Sequence, residues 1–155
     1  MDISDLKVRK AAIGDSSEIL RWRNDTETIH FSLSEKYVTP QEHEIWFHNN
    51  LSSLNNIIYV GIINHLLVGI IRFSNFEDKK KFKVSINVAP ETRGTGIGFK
   101  LMTLAEKELI YEIGSCTLSA TVLKHNLRSI SLFRKSNYEL YEETEKGIEF
   151  RKDLI

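Results

Sequence analysis

Val84-Ser85-Ile86-Asn87-Val88-Ala89-Pro90-Glu91-Thr92-Arg93-Gly94-Thr95-Gly96-Ile97-Gly98-Phe99 joins a strand to a helix through three alternating glycines. Glycine lets backbone N–H groups approach a ligand with no Cβ in the way. The loop runs into a helix N-terminus, where unpaired N–H groups and the positive end of the helix dipole suit a phosphate. Arg93 adds a fixed charge with forked donors. Together these features describe a pyrophosphate cradle. The dinucleotide fingerprint G-x-G-x-x-G does not fit, because the third glycine comes one residue early. That motif also belongs on the first strand of a parallel sheet, and here about half the chain precedes it. The P-loop fails because no Gly-Lys-Ser/Thr follows. A flexible turn explains neither three glycines nor an arginine at a strand–helix junction.

Downstream, the helix that opens in the loop runs to about Ile113, with Ile97, Leu101, Leu104, Ala105 and Leu109 on one arc against Lys100, Thr103 and Lys107. An alternating strand follows, Cys116, Leu118, Ala120 and Val122 against Thr117, Ser119 and Thr121. Asn126 caps a helix to about Ser136, and Tyr138 to Asp153 reads as a hairpin turning near Lys146-Gly147. Upstream, Phe82, Val84, Ile86 and Val88 alternate with Lys83, Ser85 and Asn87 up to Pro90. Before them, Ile57–Ile63 and Leu66–Phe73 flank Asn64-His65, a hairpin whose strands are covered on both faces. Thr39-Pro40-Gln41-Glu42 is a strong helix start, and Asp15-Ser16-Ser17-Glu18 a second one. Lys7 to Ala11 is the first strand. The predicted order is β-α-α-β-β-β-α-β-α-β-β: an α/β (α+β) domain in which helices flank a mostly antiparallel sheet.

With 155 residues, 41% of them hydrophobic and 27% charged, the chain suits one globular domain with one core, residues 1–155. Lysine plus arginine balances aspartate plus glutamate at 21 each, so no surplus of positive charge points to nucleic acid. Cys116 is the single cysteine, which excludes an intrachain disulfide and a cysteine-cluster metal site; no metal is expected. The N-terminus is acidic without an apolar run, and no segment approaches the ~20 apolar residues of a membrane span. No membrane partner is expected, and the expected setting is the cytoplasm. Self-association as a homodimer is left open.

Arg93-x-x-Gly96-x-Gly98, after a strand ending Val88-x-Pro90 and before an amphipathic helix, resembles the acetyl-CoA loop of the GNAT superfamily of N-acetyltransferases. Asn126-Leu127-Arg128-Ser129-Ile130-Ser131-Leu132-Phe133-Arg134-Lys135-Ser136-Asn137-Tyr138 resembles that family's second signature, and the element order matches over nearly the whole chain. The resemblance implies a GNAT-like fold, acetyl-CoA as co-substrate and a primary amine as acceptor. It implies that Ile86, Asn87 and Val88 pair with the pantetheine arm, and that Arg93, Gly94, Thr95, Gly96, Ile97 and Gly98 hold the pyrophosphate. Asn126 and Ser129 would line the thiol end, with Asn126 counted among the catalytic residues, and Lys135 would reach a CoA phosphate. Many members carry a tyrosine where this chain has Phe133, and phenylalanine cannot protonate a leaving thiolate.

The front segment, about residues 15 to 52, builds the acceptor site in this fold. Trp22-Arg23-Asn24-Asp25 and Glu42-His43-x-x-Trp46-Phe47 resemble the bacterial sugar-nucleotide N-acetyltransferases that modify a 4-amino-4,6-dideoxy sugar on the route to pseudaminic and related nonulosonic acids. The implied acceptor is a small-molecule amine on a UDP-linked sugar, with Trp22, Arg23, Asn24, His43, Trp46 and Phe47 around it. Aromatic faces suit a base or sugar, and Arg23 suits a diphosphate. For the base that frees the amine, His30, Glu42, His43 and His125 are candidates. His43 is preferred because it shares a helix face with Trp46 and Phe47. Two other readings stay open: a protein or ribosomal-protein N-terminus as acceptor, and a CoA-binding sensor without turnover.

Overall fold

The computed structural model describes residues 1–78 and 80–155. Seven strands form one sheet: β1 (Lys7–Lys10), β2 (Asn56–Ile63), β3 (Leu66–Asn75), β4 (Lys81–Val88), β5 (Cys116–Val122), β6 (Glu139–Glu143) and β7 (Ile148–Leu154). Their spatial order is β1-β2-β3-β4-β5-β7-β6. Every neighbouring pair is antiparallel except β4 and β5. β2–β3 and β6–β7 meet through short turns, β1 and β2 pair across the whole helical front segment, and β4 and β5 run the same way and need the crossover helix α4 (Ile97–Ile113) between them. The β2–β3 hairpin turns at Asn64 and His65, with φ of 49° and 68°. Two left-handed residues in a two-residue loop match the right-handed twist of the flanking strands.

The front segment holds three helices where two are predicted: α1 (Ser16–Arg23), α2 (Thr26–Phe31) and α3 (Pro40–Ser52). The extra one, α2, is six residues long, too short for a periodic apolar face to mark it. The Asp25 carboxylate caps it by accepting from the Thr28 N–H. Thr39 caps α3 as expected, its hydroxyl accepting from the Glu42 N–H at 3.2 Å. Asp15 behaves differently from the expected cap. Its carboxylate takes both arms of Arg9, at 2.8 and 2.9 Å, and the Ala12 N–H. Asp15 thereby ties β1 to the turn before α1.

Two cores sandwich the sheet. On one face α4 and α5 (Leu127–Lys135) bury Ile97, Leu101, Met102, Ala105, Leu109, Ile130 and Phe133 against the strands. On the other, α1 and α3 bury Ile19, Trp22 and Phe47 against Ile58, Val60 and Ile70. The continuous apolar runs of β2 and β3 therefore face protein on both sides, as parallel-sheet strands do, although these are antiparallel. Among the described residues no helix is long and apolar enough to cross a membrane.

The feature that positions the site is a split in the sheet. β4 and β5 pair only over Lys81–Lys83 and Thr117–Ser119. Beyond Lys83, β4 keeps its bonds to β3 as far as the Gly69–Val88 pair, and beyond Ser119, β5 keeps its bonds to β7 as far as Val122–Ile148. The ends of β4 and β5 thus diverge, each anchored on its outer side.

Candidate active site

A cleft of about 800 Å³ occupies this split. Ile86, Asn87 and Val88 form one wall, Ala120, Thr121 and Val122 the other, and the loop Arg93–Phe99 closes one end. Asn126, Ser129, Phe133 and Lys135 line it from α5, and Arg23, Thr28, Ser34 and Arg72 line it from the opposite side.

The glycine loop presents donors. Gly94 and Gly96 have φ of 76° and 89°, the left-handed region that L side chains rarely enter. These turns leave the backbone N–H groups from Gly94 through Phe99 with no acceptor among the described residues; the first paired one is Lys100, which bonds the Gly96 carbonyl. A run of unpaired N–H groups at the start of a seventeen-residue helix is an anion site made of backbone. Thr95 contributes its N–H and braces the turn, its hydroxyl donating to the Thr92 carbonyl at 2.5 Å.

Arg93 does not serve as the loop's free cation. Its Nε donates to the Val88 carbonyl at 3.1 Å. Nη1 donates to Asp25 and Glu27 at 2.8 and 2.9 Å, and Nη2 to Thr28 and Asn87 at 2.8 and 3.2 Å. A guanidinium has five N–H groups, and all five are used. Arg93 pins α2 to the end of β4, and the expectation that it grips the pyrophosphate is corrected accordingly.

At the start of α5, Asn126 caps the helix, its Oδ1 accepting from the Ser129 N–H at 3.3 Å, and the residue lines the cleft. Phe133 is buried edge-on to Tyr138 and stacked on Phe150, with ring centroids at 5.0 and 6.0 Å. Lys135 holds its ammonium 4.6 Å from the Phe99 ring centroid, beside the loop N–H groups. Tyr138 does not line the cleft; its hydroxyl donates to Glu106 at 2.8 Å, and Glu106 in turn accepts from Lys152 at 2.6 Å. This buried triad welds α4 to β7, and burial beside the Glu106 charge drives the Tyr138 phenol far above its usual pKa.

The front-half residues divide. Trp22 and Phe47 are fully buried core, and Asn24 clips the loop before α3 through Val38, donating to its carbonyl at 2.7 Å and accepting from its N–H at 2.8 Å. His43 is 2% exposed, stacked on Phe47, and does not line the cleft. Burial lowers its pKa, only partly offset by the Ser16 backbone and Glu44. A neutral ring in the core has no route to an acceptor amine, so the reading of His43 as base is corrected. His30 and His125 meet across 5.1 Å and Glu42 lies exposed in the first turn of α3, none of them on the cleft wall. Trp46 is 36% exposed and touches the cleft indirectly, through Arg72. Arg23 alone of the front set is in the cleft.

A profile of the acetyltransferase (GNAT) family matches residues 17–138, from α1 through the end of α5. The chain belongs to that family. It is 24% identical over 141 residues to the acetyltransferase PseH of Campylobacter jejuni, covering 89% of this chain and 87% of PseH. A crystal structure of that PseH in complex with acetyl coenzyme A superposes with a TM-score of 0.75 at 18% identity, over 97% of this chain and 99% of that one. An N-acetyltransferase from Staphylococcus aureus Mu50 gives a TM-score of 0.81 at 24% identity, over 97% and 99%. AAC(6')-Ib in complex with ribostamycin and coenzyme A gives 0.82 at 16%, over 96% and 93%. The chain is thus a GNAT acetyltransferase with the GNAT sheet.

Several residues of this GNAT site escape sequence reasoning. Arg72 carried a signal, since it is the one charged residue in the apolar run Leu66–Phe73. The pairing of Asp25, Glu27 and Thr28 with Arg93 carried none, because it joins side chains 68, 66 and 65 residues apart in the chain. Among the lining residues there is no histidine, tyrosine, aspartate or cysteine, and the single carboxylate, Glu27, is held by Arg93 and Arg128. No group of His, Cys, Asp and Glu among the described residues could hold a metal ion.

Proposed function

We propose that this GNAT enzyme binds acetyl-CoA in the split between β4 and β5 and transfers the acetyl group to the 4-amino group of a UDP-linked aminodideoxy sugar. The unpaired N–H run from Gly94 to Phe99 supports the first half, because it suits a pyrophosphate without any side-chain charge. The splayed strand end of Ile86–Val88 offers unsatisfied backbone to an amide-bearing arm, and Lys135 stands beside the loop for a terminal phosphate. Bound acetyl-CoA supplies an activated acyl group as a thioester. In the transfer the amine nitrogen bonds to the acyl carbon, the carbon–sulfur bond breaks, and the proton shed by nitrogen ends on the sulfur.

The residues on the wall orient this exchange and contribute little proton chemistry of their own. No free carboxylate, imidazole or phenol lies there to take the ammonium proton, so the acceptor enters as the neutral amine, and solvent removes its proton beforehand. Phe133 supplies no acid, which fits a thiolate that leaves unaided near neutral pH. Arg23 supports the nucleotide half of the acceptor. Its Nη2 donates to Ser34 at 2.9 Å, its Nη1 is closed off from solvent with no partner among the described residues, and the guanidinium brings a positive charge without a carboxylate to the cleft wall, which suits a phosphate. A cytoplasmic setting, where acetyl-CoA is at hand, belongs to the same proposal. The test is a thiol-release assay with acetyl-CoA and, in parallel, a UDP-linked 4-amino sugar and ribosomal-protein N-terminal peptides. Turnover of the sugar nucleotide with little peptide acetylation is expected. Efficient peptide acetylation without sugar turnover would overturn the acceptor, and no turnover with any amine would favour a CoA sensor.

A further inference from the structure

Among the described residues three arginines lack a carboxylate partner: Arg23, Arg72 and Arg134. Arg134 is exposed to water. Arg23 and Arg72 are half-buried, and both line the cleft. Arg72 stands on β3 opposite Ser85 of β4, on the face that α1 and α3 cover. Its guanidinium lies 5.1 Å from the Trp46 ring centroid, and Nη1 donates to Asn50 Oδ1 at 3.2 Å. These two contacts orient it and leave most of its donors free. Burial is the one influence on either side chain's pKa, and it acts downward on both; no acid offsets it.

A desolvated guanidinium without a counter-ion is costly, and folds seldom keep one without a use. Two on one wall set the sign of the chamber. Lys83 adds a third positive group at the same wall, and the one lining carboxylate, Glu27, is already shared between Arg93 and Arg128. We propose that Arg72 and Arg23 form a phosphoryl clamp that restricts this enzyme to acceptors carrying a negative phosphate group, and that Arg72 is a specificity-determining residue. Polycationic amines meet uncompensated positive charge and are refused. The same charges favour the neutral form of a nearby amine over its ammonium. This inference rests on the amino-sugar reading only for where the amine lies; the clamp itself is tested separately.

The binding probe is UDP, titrated calorimetrically into the full chain with CoA present. Arg72→Gln is expected to weaken UDP binding about ten- to hundredfold, Arg72→Lys severalfold, and Arg134→Gln not at all. Urea unfolding of Arg72→Gln and Arg72→Lys checks that both are folded. UDP affinity unchanged in folded Arg72→Gln overturns the clamp. For turnover, the UDP-linked amino sugar is compared with the same sugar as a neutral methyl glycoside and with kanamycin. A kcat/KM at least tenfold higher for the UDP-linked sugar, lost in Arg72→Gln, is expected. Equal kcat/KM for the neutral glycoside overturns the clamp while upholding the amino sugar as acceptor. Arg72-dependent UDP binding with no sugar acetylated upholds the clamp and overturns that acceptor. Kanamycin as the best substrate overturns both.

Discussion

Arg93 reaches across 68 residues of chain to Asp25, with Nη1 2.8 Å from Oδ2, and the same nitrogen lies 2.9 Å from Glu27 Oε2. This contact fixes α2 over the end of β4, so the side of the cleft that α2 lines is held by the start of the glycine loop. Burial alone would raise the Asp25 pKa, but the Arg93 hydrogen bond and the capped N–H groups outweigh it and hold the carboxyl below its ordinary value.

Arg93→Lys keeps the charge and loses the fork. With the Arg93 side chain 12% exposed and its carboxylates 26% and 41%, solvent screening moderates the loss, and about 1–3 kcal/mol of stability is expected to go in urea unfolding. Because Asp25 is depressed in the fold, its stabilisation is complete above the ordinary carboxylate pKa of 3.8 and disappears as the pH falls through the lower folded value. The deficit of Arg93→Lys against the parent should therefore shrink below that pH. A salt dependence of acetyl-CoA affinity equal in the parent and in Arg93→Gln, which removes the charge, would match backbone N–H groups, not Arg93, as the phosphate donors.

Gly96→Val should abolish acetyl-CoA binding measured by calorimetry while the protein remains folded. A Cβ at Gly96 meets only the Ile3 side chain, at 3.5 Å, an ordinary contact. The strain comes from its φ of 89°, which costs an L residue ~1–2 kcal/mol and rotates the N–H groups away from a common point. Gly14→Val, where a Cβ meets nothing within 4 Å and φ is ordinary, is the control and should bind normally. Near-parent affinity for Gly96→Val would make the loop a turn.

Phe133→Tyr should change kcat by far less than the ~10²–10⁴-fold of a positioned general acid. The ring packs between Tyr138 and Phe150, and an added hydroxyl must find a partner or lose some stability. A gain in rate within that range would show that the parent lacks an acid it could use.

His43→Gln should leave the pH dependence of kcat/KM unaltered, since the rate follows the acceptor amine's own titration. Stability is where His43 acts. Its pKa is lowered in the fold, so the unfolded chain binds the extra proton first, and stability falls as the pH drops through the ordinary 6.5 and continues to fall until the buried ring itself protonates. His43→Leu should flatten that acid slope in urea unfolding between pH 7 and pH 5. An acidic limb of kcat/KM that vanishes in His43→Gln would restore the catalytic reading.

The local signals read correctly because they depend on near neighbours in the chain. Glycines at Gly94 and Gly96 enter left-handed turns whatever surrounds them, Thr39 and Asn126 cap the helices they precede, and alternation in Phe82–Val88 sets which side faces α4. Those signals carried the strand order within hairpins, the helix after the loop and the likeness to the acetyltransferase family. Polar and aromatic residues on the front helices were not legible, because their role depends on what the sheet places opposite them. Trp22, Phe47 and His43 fill the space over Ile58 and Val60, Asn24 closes a backbone turn, and the five donors of Arg93 all find partners on β4, on α2 and on its capping residue Asp25. Arg72 became visible as a cleft residue only when β3 lay beside β4 and α3 lay above them. An arginine's charge is written in the chain, but whether a carboxylate meets it is decided by packing between segments far apart in sequence, and among the described residues that packing left Arg23 and Arg72 at the cleft wall without one.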